Sequence, residues 1–181
     1  MTLALWSSEV TMAGGPLIIN GELVAEAGTL SWEETTPDVP ADQRAAGAGA
    51  QTLAGFTATP GDSLRLTQPI IIRAAGHNLV YDLVADWSSA GQGAAGLAPA
   101  SGTYYIYDAA GTALGTSNGA GTPIGVPLTI TGLVQGDQAL TVVVNVDYPA
   151  GTPSYQGTPA AASLSATVPQ LTITAQQRPS P

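Results

Sequence analysis

Apolar side chains recur at every second position along much of this chain, whereas the spacing of an amphipathic helix is almost absent. Successive side chains of an extended strand point to opposite faces, so this alternation predicts strands with one buried face. The clearest run is in residues 138–148, which repeat an apolar residue as Leu140, Val142, Val144 and Val146. The alanine-rich residues 45–50 and 94–100 contain too much glycine to hold a helix.

Turn signals rich in Gly and Pro separate about eight to ten such strands, a pattern typical of an antiparallel sandwich. The length, 181 residues, suits one domain of this type. We therefore predict an all-β fold, a two-sheet antiparallel sandwich that resembles a jelly roll. In this prediction residues 16–177 form the sandwich, residues 1–15 form an N-terminal strand segment with its tether, and residues 178–181 form a tail.

Several local features of the sandwich are predicted from individual residues. Pro69 lies inside an alternating run and has no N–H to donate, so we place it at a sheet edge or in a bulge. Residues 38–51 mix Pro, Gly and Ala with scattered charge and are predicted as a loop. Residues 103–116 are predicted as a hairpin, and residues 127–148 as a two-strand unit that turns at residues 135–137.

The chain is acidic and carries few charges of either sign. It has 13 Asp and Glu against four Lys and Arg, all four of them Arg, for a net charge of −9. Because so few basic groups are available to neutralise phosphates, we expect no nucleic-acid partner and no docking on anionic lipid. The chain has no cysteine, which excludes disulfides and thiol chemistry.

Neither a membrane span nor a secretion signal is recognisable in the sequence. No apolar run approaches the roughly 18 residues of a spanning helix, and no basic segment precedes an apolar signal-peptide core. An opening on an apolar strand fits a mature product whose signal has been removed. We therefore expect a secreted, extracellular or cell-surface protein.

Catalytic and metal-binding patterns are weak. His77 is the only histidine, lies in a predicted turn, and comes without a G-x-S-x-G or H-E-x-x-H motif. Several carboxylates lack the spacing of a calcium loop or the cleft of a hydrolytic pair, and fit a solvated surface better: Glu33, Glu34, Asp38, Asp42, Asp82 and Asp86. We predict no catalytic residue, no cofactor and no metal.

The first residues of the chain form an apolar, strand-like segment on a tether. Within residues 2–12, Leu3 to Trp6 are apolar, as are Val10 and Met12, and Gly14-Gly15-Pro16 separates them from the next apolar run. We predict that this segment completes the sheet of a neighbouring copy, with the donor-strand contacts made by Leu3, Leu5, Trp6, Val10 and Met12. The alternative is that it forms the first strand of its own sandwich.

Four short stretches resemble one family of exported proteins: residues 4–6 (ALW), 16–23 (PLIINGEL), 59–64 (TPGDSL) and 171–174 (LTIT). Similar stretches occur in the TasA/camelysin-like proteins, which are exported with the alternate signal peptides cut by a SipW-type peptidase. The composition is most similar to that of actinobacterial members. The resemblance implies a jelly-roll fold, an extracellular location and assembly into fibres by donor-strand complementation. It also implies a peptidase label carried by some members, for which this sequence offers no metal ligands.

Two functions of different classes follow. The first is a structural subunit of an extracellular filament, such as a biofilm-matrix or surface fibre, whose partners are copies of itself. The alternative is a monomeric, secreted or cell-surface binding module for carbohydrate or adhesin-type ligands. In such a module Trp6, Trp32 and Trp87 could stack on sugars, although buried anchors are the commoner role of tryptophan. A hydrolase has almost no support in the sequence, so we predict that the chain is not an enzyme.

Overall fold

The computed structural model describes residues 7–11, 23–49, 52, 61–75, 79–87, 101–115, 120–123, 125–147 and 171–177. Within these ranges the chain forms eleven strands that pair only in antiparallel fashion. One sheet has four strands, in the order β1 (Ser7–Thr11), β11 (Leu171–Gln177), β6 (Val80–Trp87) and β9 (Leu128–Val134).

The other sheet has seven strands. Their order is β4 (Ala46–Ala48), β3 (Ser31–Glu34), β5 (Ser63–Ala74), β10 (Gly136–Asp147), β7 (Ser101–Tyr107) and β8 (Thr122–Pro123), with β2 (Leu23–Ala27) pairing with β5 as β3 does. The two central strands, β5 and β10, are paired without a register shift over all 12 residues of each. These two strands form the centre of the larger sheet.

The inner faces of the two sheets contribute to one apolar core, and the all-β sandwich prediction is confirmed. Every predicted inward residue of the clearest run is at most 3% exposed, namely Leu140, Val142, Val144 and Val146. The smaller sheet supplies Tyr81, Leu83, Ala85, Leu128, Ile130, Ile173 and Ala175 to the same cluster. Burying a large apolar side chain contributes roughly 1.5–3 kcal/mol, so this alternation is the main source of the fold's stability.

Pro69 does not lie at a sheet edge or in a bulge, and that prediction was wrong. It lies in the middle of β5, where β2 and β3 leave a gap between them on one side of the strand. At this gap the Gly28 amide donates to the Pro69 carbonyl oxygen at 2.8 Å. A residue in an antiparallel ladder directs its N–H and C=O to the same neighbour, so the missing N–H of Pro69 faces the gap and not β10.

The predicted loop of residues 38–51 contains the short strand β4, which pairs with β3. Its sequence, Ala-Gly-Ala, has no apolar alternation that could have indicated a strand. Gly47 permits the pairing, because a Cβ at this position would lie 2.8 Å from the indole nitrogen of Trp32. The strand is therefore specified by contact with β3 and not by its own pattern.

The chain crosses between the two sheets where a two-strand unit was predicted. β9 pairs with β6 in the smaller sheet, whereas β10 pairs with β5 and β7 in the larger one. The crossing occurs at Gly136, whose φ of +119° favours glycine. The predicted hairpin after β7 is present: the Gly111 amide donates to the Asp108 carbonyl oxygen, and Tyr107 bridges to Ala113.

Candidate functional site

The strand β1 lies at one edge of the four-stranded sheet and pairs with β11 of the same chain. The ladder extends from Ser7, opposite Gln176, to Thr11, opposite Thr172. β1 also contacts β2 of the larger sheet. Among the described residues no further strand pairs with the outer side of β1. β1 is therefore the edge strand here, and β11 is the strand beside it.

Only part of the predicted donor segment can be placed. Val10 lies opposite Ile173 in the β1–β11 ladder. Leu3, Leu5, Trp6 and Met12 lie outside the described residues, as do residues 178–181. Within one chain, residues 7–11 form a strand of their own sandwich, which is the arrangement that the sequence analysis gave as the alternative. Donation of the segment to a neighbouring copy stays a prediction.

The inner face of β11 is buried although the strand is covered on one side only by β1. Ile173 is 1% exposed and Ala175 is fully buried, and both belong to the core. β11 pairs with β6 on its other side. If β1 left this position, one side of β11 would present unpaired backbone N–H and C=O groups, which is the template that a strand from another copy can pair with.

A second candidate surface is an open groove of about 530 Å³ on the outer face of the seven-stranded sheet. Its lining residues come from β3, β5, β7 and β10: Glu33, Arg65, Thr67, Tyr105, Tyr107, Val143 and Asn145. We call it the outer-face groove. The sequence analysis missed it, and the only local signal was a pair of tyrosines two positions apart in β7.

The polar residues of the outer-face groove form a row across three strands. Glu33, Arg65 and Asn145 are successive neighbours on β3, β5 and β10. Arg65 Nη1 lies 3.5 Å from Glu33 Oε1, and Arg65 Nε lies 3.4 Å from Asn145 Oδ1. The second side of the groove is aromatic: the rings of Tyr105 and Tyr107 are stacked with centroids 5.8 Å apart and an interplanar angle of 13°.

Two other tyrosines lie in the core and have perturbed pKa values. Burial raises the pKa of Tyr81 and that of Tyr104 to about 12, and the Asp86 carboxylate adds to the effect at Tyr104. The Tyr104 hydroxyl lies 3.0 Å from the Ala85 carbonyl oxygen and 2.6 Å from that of Val126, and it can donate its one proton to either of them. The contact with Ala85 links β7 to β6 of the opposite sheet, and the raised pKa values follow from the burial of both tyrosines in the core.

Two of the carboxylates considered in the sequence, Glu34 and Asp82, support the fold, as does Trp32. Glu34 Oε2 accepts the Ala45 amide at 3.1 Å, and Asp82 Oδ1 accepts the Gly132 amide at 3.0 Å. Trp32 is 7% exposed, so its ring is a buried anchor and not a sugar platform. The side chains of Trp6 and Trp87 and all of His77 lie outside the described part of the chain.

Within that part of the chain, no group of three or more His, Cys, Asp or Glu side chains is placed to hold a metal ion. Across the same described ranges, no helix is long and apolar enough to cross a membrane.

Comparison with known proteins identifies no family for this chain. No protein-family model and no curated protein matches the chain. Among solved structures, the chain is similar to the crystal structure of the enzymatically active domain of tailspike protein 4 from bacteriophage CBA120, with 13% identity and a TM-score of 0.22. The match covers 93% of this chain and 18% of that one. At this TM-score the similarity supports no inference about fold or activity.

Proposed function

We propose that this chain is the structural subunit of a secreted, extracellular filament and that it assembles with copies of itself by exchange of its N-terminal strand. The observation that carries the proposal is the position of β1 at the edge of the four-stranded sheet, paired with β11. An edge strand can leave without breaking a ladder on its other side.

The exchange would preserve the contacts of the single chain. A β1 strand from a second copy can pair with β11 in the register that the first copy uses, from Ser7 opposite Gln176 to Thr11 opposite Thr172. Because the contacts are equal in both arrangements, the tether and the local concentration of copies determine whether β1 pairs within its own chain or with another copy. The sequence Gly14-Gly15 in the tether suits a segment that must reach different places.

The geometry of exchange decides between a dimer and a filament. If two copies trade strands reciprocally, the assembly closes as a two-fold dimer; if each copy donates to the next, it grows as an open filament. The apolar residues Leu3, Leu5 and Trp6 would contribute roughly 1.5–3 kcal/mol each if a neighbour buried them, before the cost of ordering the segment. That gain favours the arrangement that buries more of them.

Deletion of residues 1–12 tests this proposal. We expect the truncated chain to form no filaments on negative-stain grids and to have a lower melting temperature, because the edge of β11 is then uncovered. A synthetic peptide of residues 1–12 added in excess should raise that melting temperature, whereas a peptide of the same composition in scrambled order should not.

Two results would contradict the proposal. One is normal polymerisation of the truncated chain. The other is a full-length chain that elutes as a monomer in size-exclusion chromatography and forms no filament at any concentration, which would favour the alternative of a monomeric binding module.

A further inference from the structure

We propose that the outer-face groove binds a neutral saccharide chain, with Tyr105 and Tyr107 packed against the C–H faces of the sugar rings and Arg65 and Asn145 hydrogen-bonded to their hydroxyls. The groove lies on the larger sheet, away from the β1–β11 ladder. The inference is therefore independent of strand exchange and goes beyond the proposed function.

The aromatic side of the groove is held rigid. Tyr105 and Tyr107 stack on each other, and Val143 lies beside Tyr105 in the β7–β10 ladder. The Gly121 backbone packs on Tyr105, because a Cβ at Gly121 would lie 2.6 Å from Tyr105 Cζ. A tyrosine that is already fixed loses little side-chain entropy when a ligand packs on it, which is the usual reason that rigid aromatic residues dominate binding surfaces.

The polar side of the groove has hydrogen-bonding capacity left over. A guanidinium has five N–H donors, and within the described residues two N–H groups of Arg65 are engaged, both in contacts of 3.4 Å or longer. Such contacts are at the weak end of the hydrogen-bond range. Ligand hydroxyls can therefore bind the remaining donors, and Asn145 offers an amide that both donates and accepts.

This combination favours a sugar. A pyranose ring has apolar C–H faces and a rim of hydroxyls, which match an apolar strip beside a row of planar polar groups. Arg65 is already paired with Glu33, and the chain carries a net charge of −9, so a polyanion is disfavoured. A neighbouring groove of about 460 Å³ shares Glu33 and Arg65, which leaves room for a chain of sugar units instead of a single ring.

Affinity electrophoresis of the full chain tests the inference, using native gels that contain hydroxyethylcellulose, galactomannan or dextran. We expect retardation in at least one gel. Tyr105→Ala, Tyr107→Ala and Arg65→Ala should each weaken the association on the order of tenfold or more. The matched control is Arg73→Ala, which removes an exposed arginine from the same face of β5, paired with Glu26 at 2.7 Å but outside the groove. It should bind like the unmodified chain.

Three results would overturn the inference. The first is normal migration of the chain in all three gels, and the second is retardation of the tyrosine variants as strong as that of the control. The third result is binding of a polyproline decapeptide that requires Tyr105 and Tyr107, with no binding of the polysaccharides. This result would assign the groove to extended peptides instead. Melting temperatures within a few degrees of the unmodified chain will show that each variant is folded, since all four positions lie on the outer face.

Discussion

At the scale of single residues, two core tyrosines differ in how their hydroxyls are satisfied. The Tyr104 hydroxyl has two carbonyl oxygens within hydrogen-bond distance, those of Ala85 and Val126, to which it can donate its one proton. The Tyr81 hydroxyl is buried and finds no hydrogen-bond partner among the described residues. A buried polar group without a partner costs free energy, whereas a paired one contributes modestly to stability. The same chemical change at the two positions should therefore have different effects.

We expect Tyr104→Phe to lower the free energy of unfolding by about 1–2 kcal/mol, because the hydrogen bond that the hydroxyl donates to a carbonyl oxygen is lost. Tyr81→Phe should leave the free energy of unfolding unchanged or raise it, since it removes an unpaired hydroxyl and keeps the ring. Urea denaturation of both variants measures the difference. Equal losses in the two variants would show that the hydroxyl contacts of Tyr104 add nothing to the burial of its ring.

The pKa values of these tyrosines also predict a pH dependence. Burial raises both to about 12, whereas the unfolded chain titrates near the ordinary value of about 10. Above about pH 10 the unfolded chain therefore binds fewer protons than the folded one, so stability that is present at lower pH is lost as pH rises toward about 12. The urea midpoint should fall across this window. The fall should be smaller in the double variant Tyr81→Phe/Tyr104→Phe, and an equal fall in both proteins would contradict the assignment.

At the scale of elements, one junction holds β2 and β3 on the same side of β5. The Gly28 amide donates to the Pro69 carbonyl oxygen at 2.8 Å, and the Gly28 carbonyl oxygen accepts from Gln68 Nε2 at 3.0 Å. Gln68 is only 3% exposed, in a position where the alternation of β5 would otherwise place an apolar residue. The hydrogen bond to Gly28 gives the side-chain NH₂ a partner at this inward position, whereas the buried Oε1 of Gln68 has none among the described residues.

Gly28→Ala should destabilise the sandwich by roughly 1–3 kcal/mol, because the added Cβ would lie 2.7 Å from Pro69 Cγ and 3.3 Å from the Pro69 carbonyl oxygen. The proline ring cannot rotate away, so the backbone must shift. The neighbouring Thr29→Ala, at an exposed position, serves as the control and should change the melting temperature little. Two variants of equal stability would show that the junction accommodates a side chain.

The sequence predicts the long strands of this fold well and their partners poorly. Alternation marks β5 and β10 because one face of each is buried, whatever strand lies beside it. No local pattern indicates that β2 and β3 share one side of β5, or that the chain changes sheets at Gly136. Those features depend on contacts between residues far apart in the sequence.

The candidate sites, like the strand partners, are difficult to predict from local sequence. The outer-face groove joins Glu33, Arg65, Asn145 and the tyrosines of β7, which only the sheet order brings together. The N-terminal segment is different, since its apolar residues from Leu3 to Trp6 mark it in the sequence. Whether it pairs within its own chain or with a neighbour has no local signal, because the backbone ladder would be the same in both.

At the scale of the whole molecule, the central claim concerns which copy supplies the strand beside β11. In the single chain that strand is β1 of the same copy, paired through five residue positions. In the proposed exchange the same ladder would form between copies, so the sandwich of each copy would keep its fold in the filament. Low charge content, 9% of residues, reduces the number of ions that must be desolvated when copies pack together.

The most direct measurement uses the absence of native cysteine from this chain. Glu9 and Thr174 lie opposite each other in the β1–β11 ladder, and opposite residues of antiparallel strands are close enough, roughly 4.5–5.5 Å between Cα atoms, for a disulfide. The double variant Glu9→Cys/Thr174→Cys would be assembled, oxidised and run on a denaturing gel without reductant, beside each single variant. Strand exchange predicts a ladder of covalent multimers from the double variant and no species larger than a dimer from either single variant. If the assembled double variant runs entirely as a monomer with its disulfide formed, β1 stays in its own chain and the proposed mechanism of assembly is wrong.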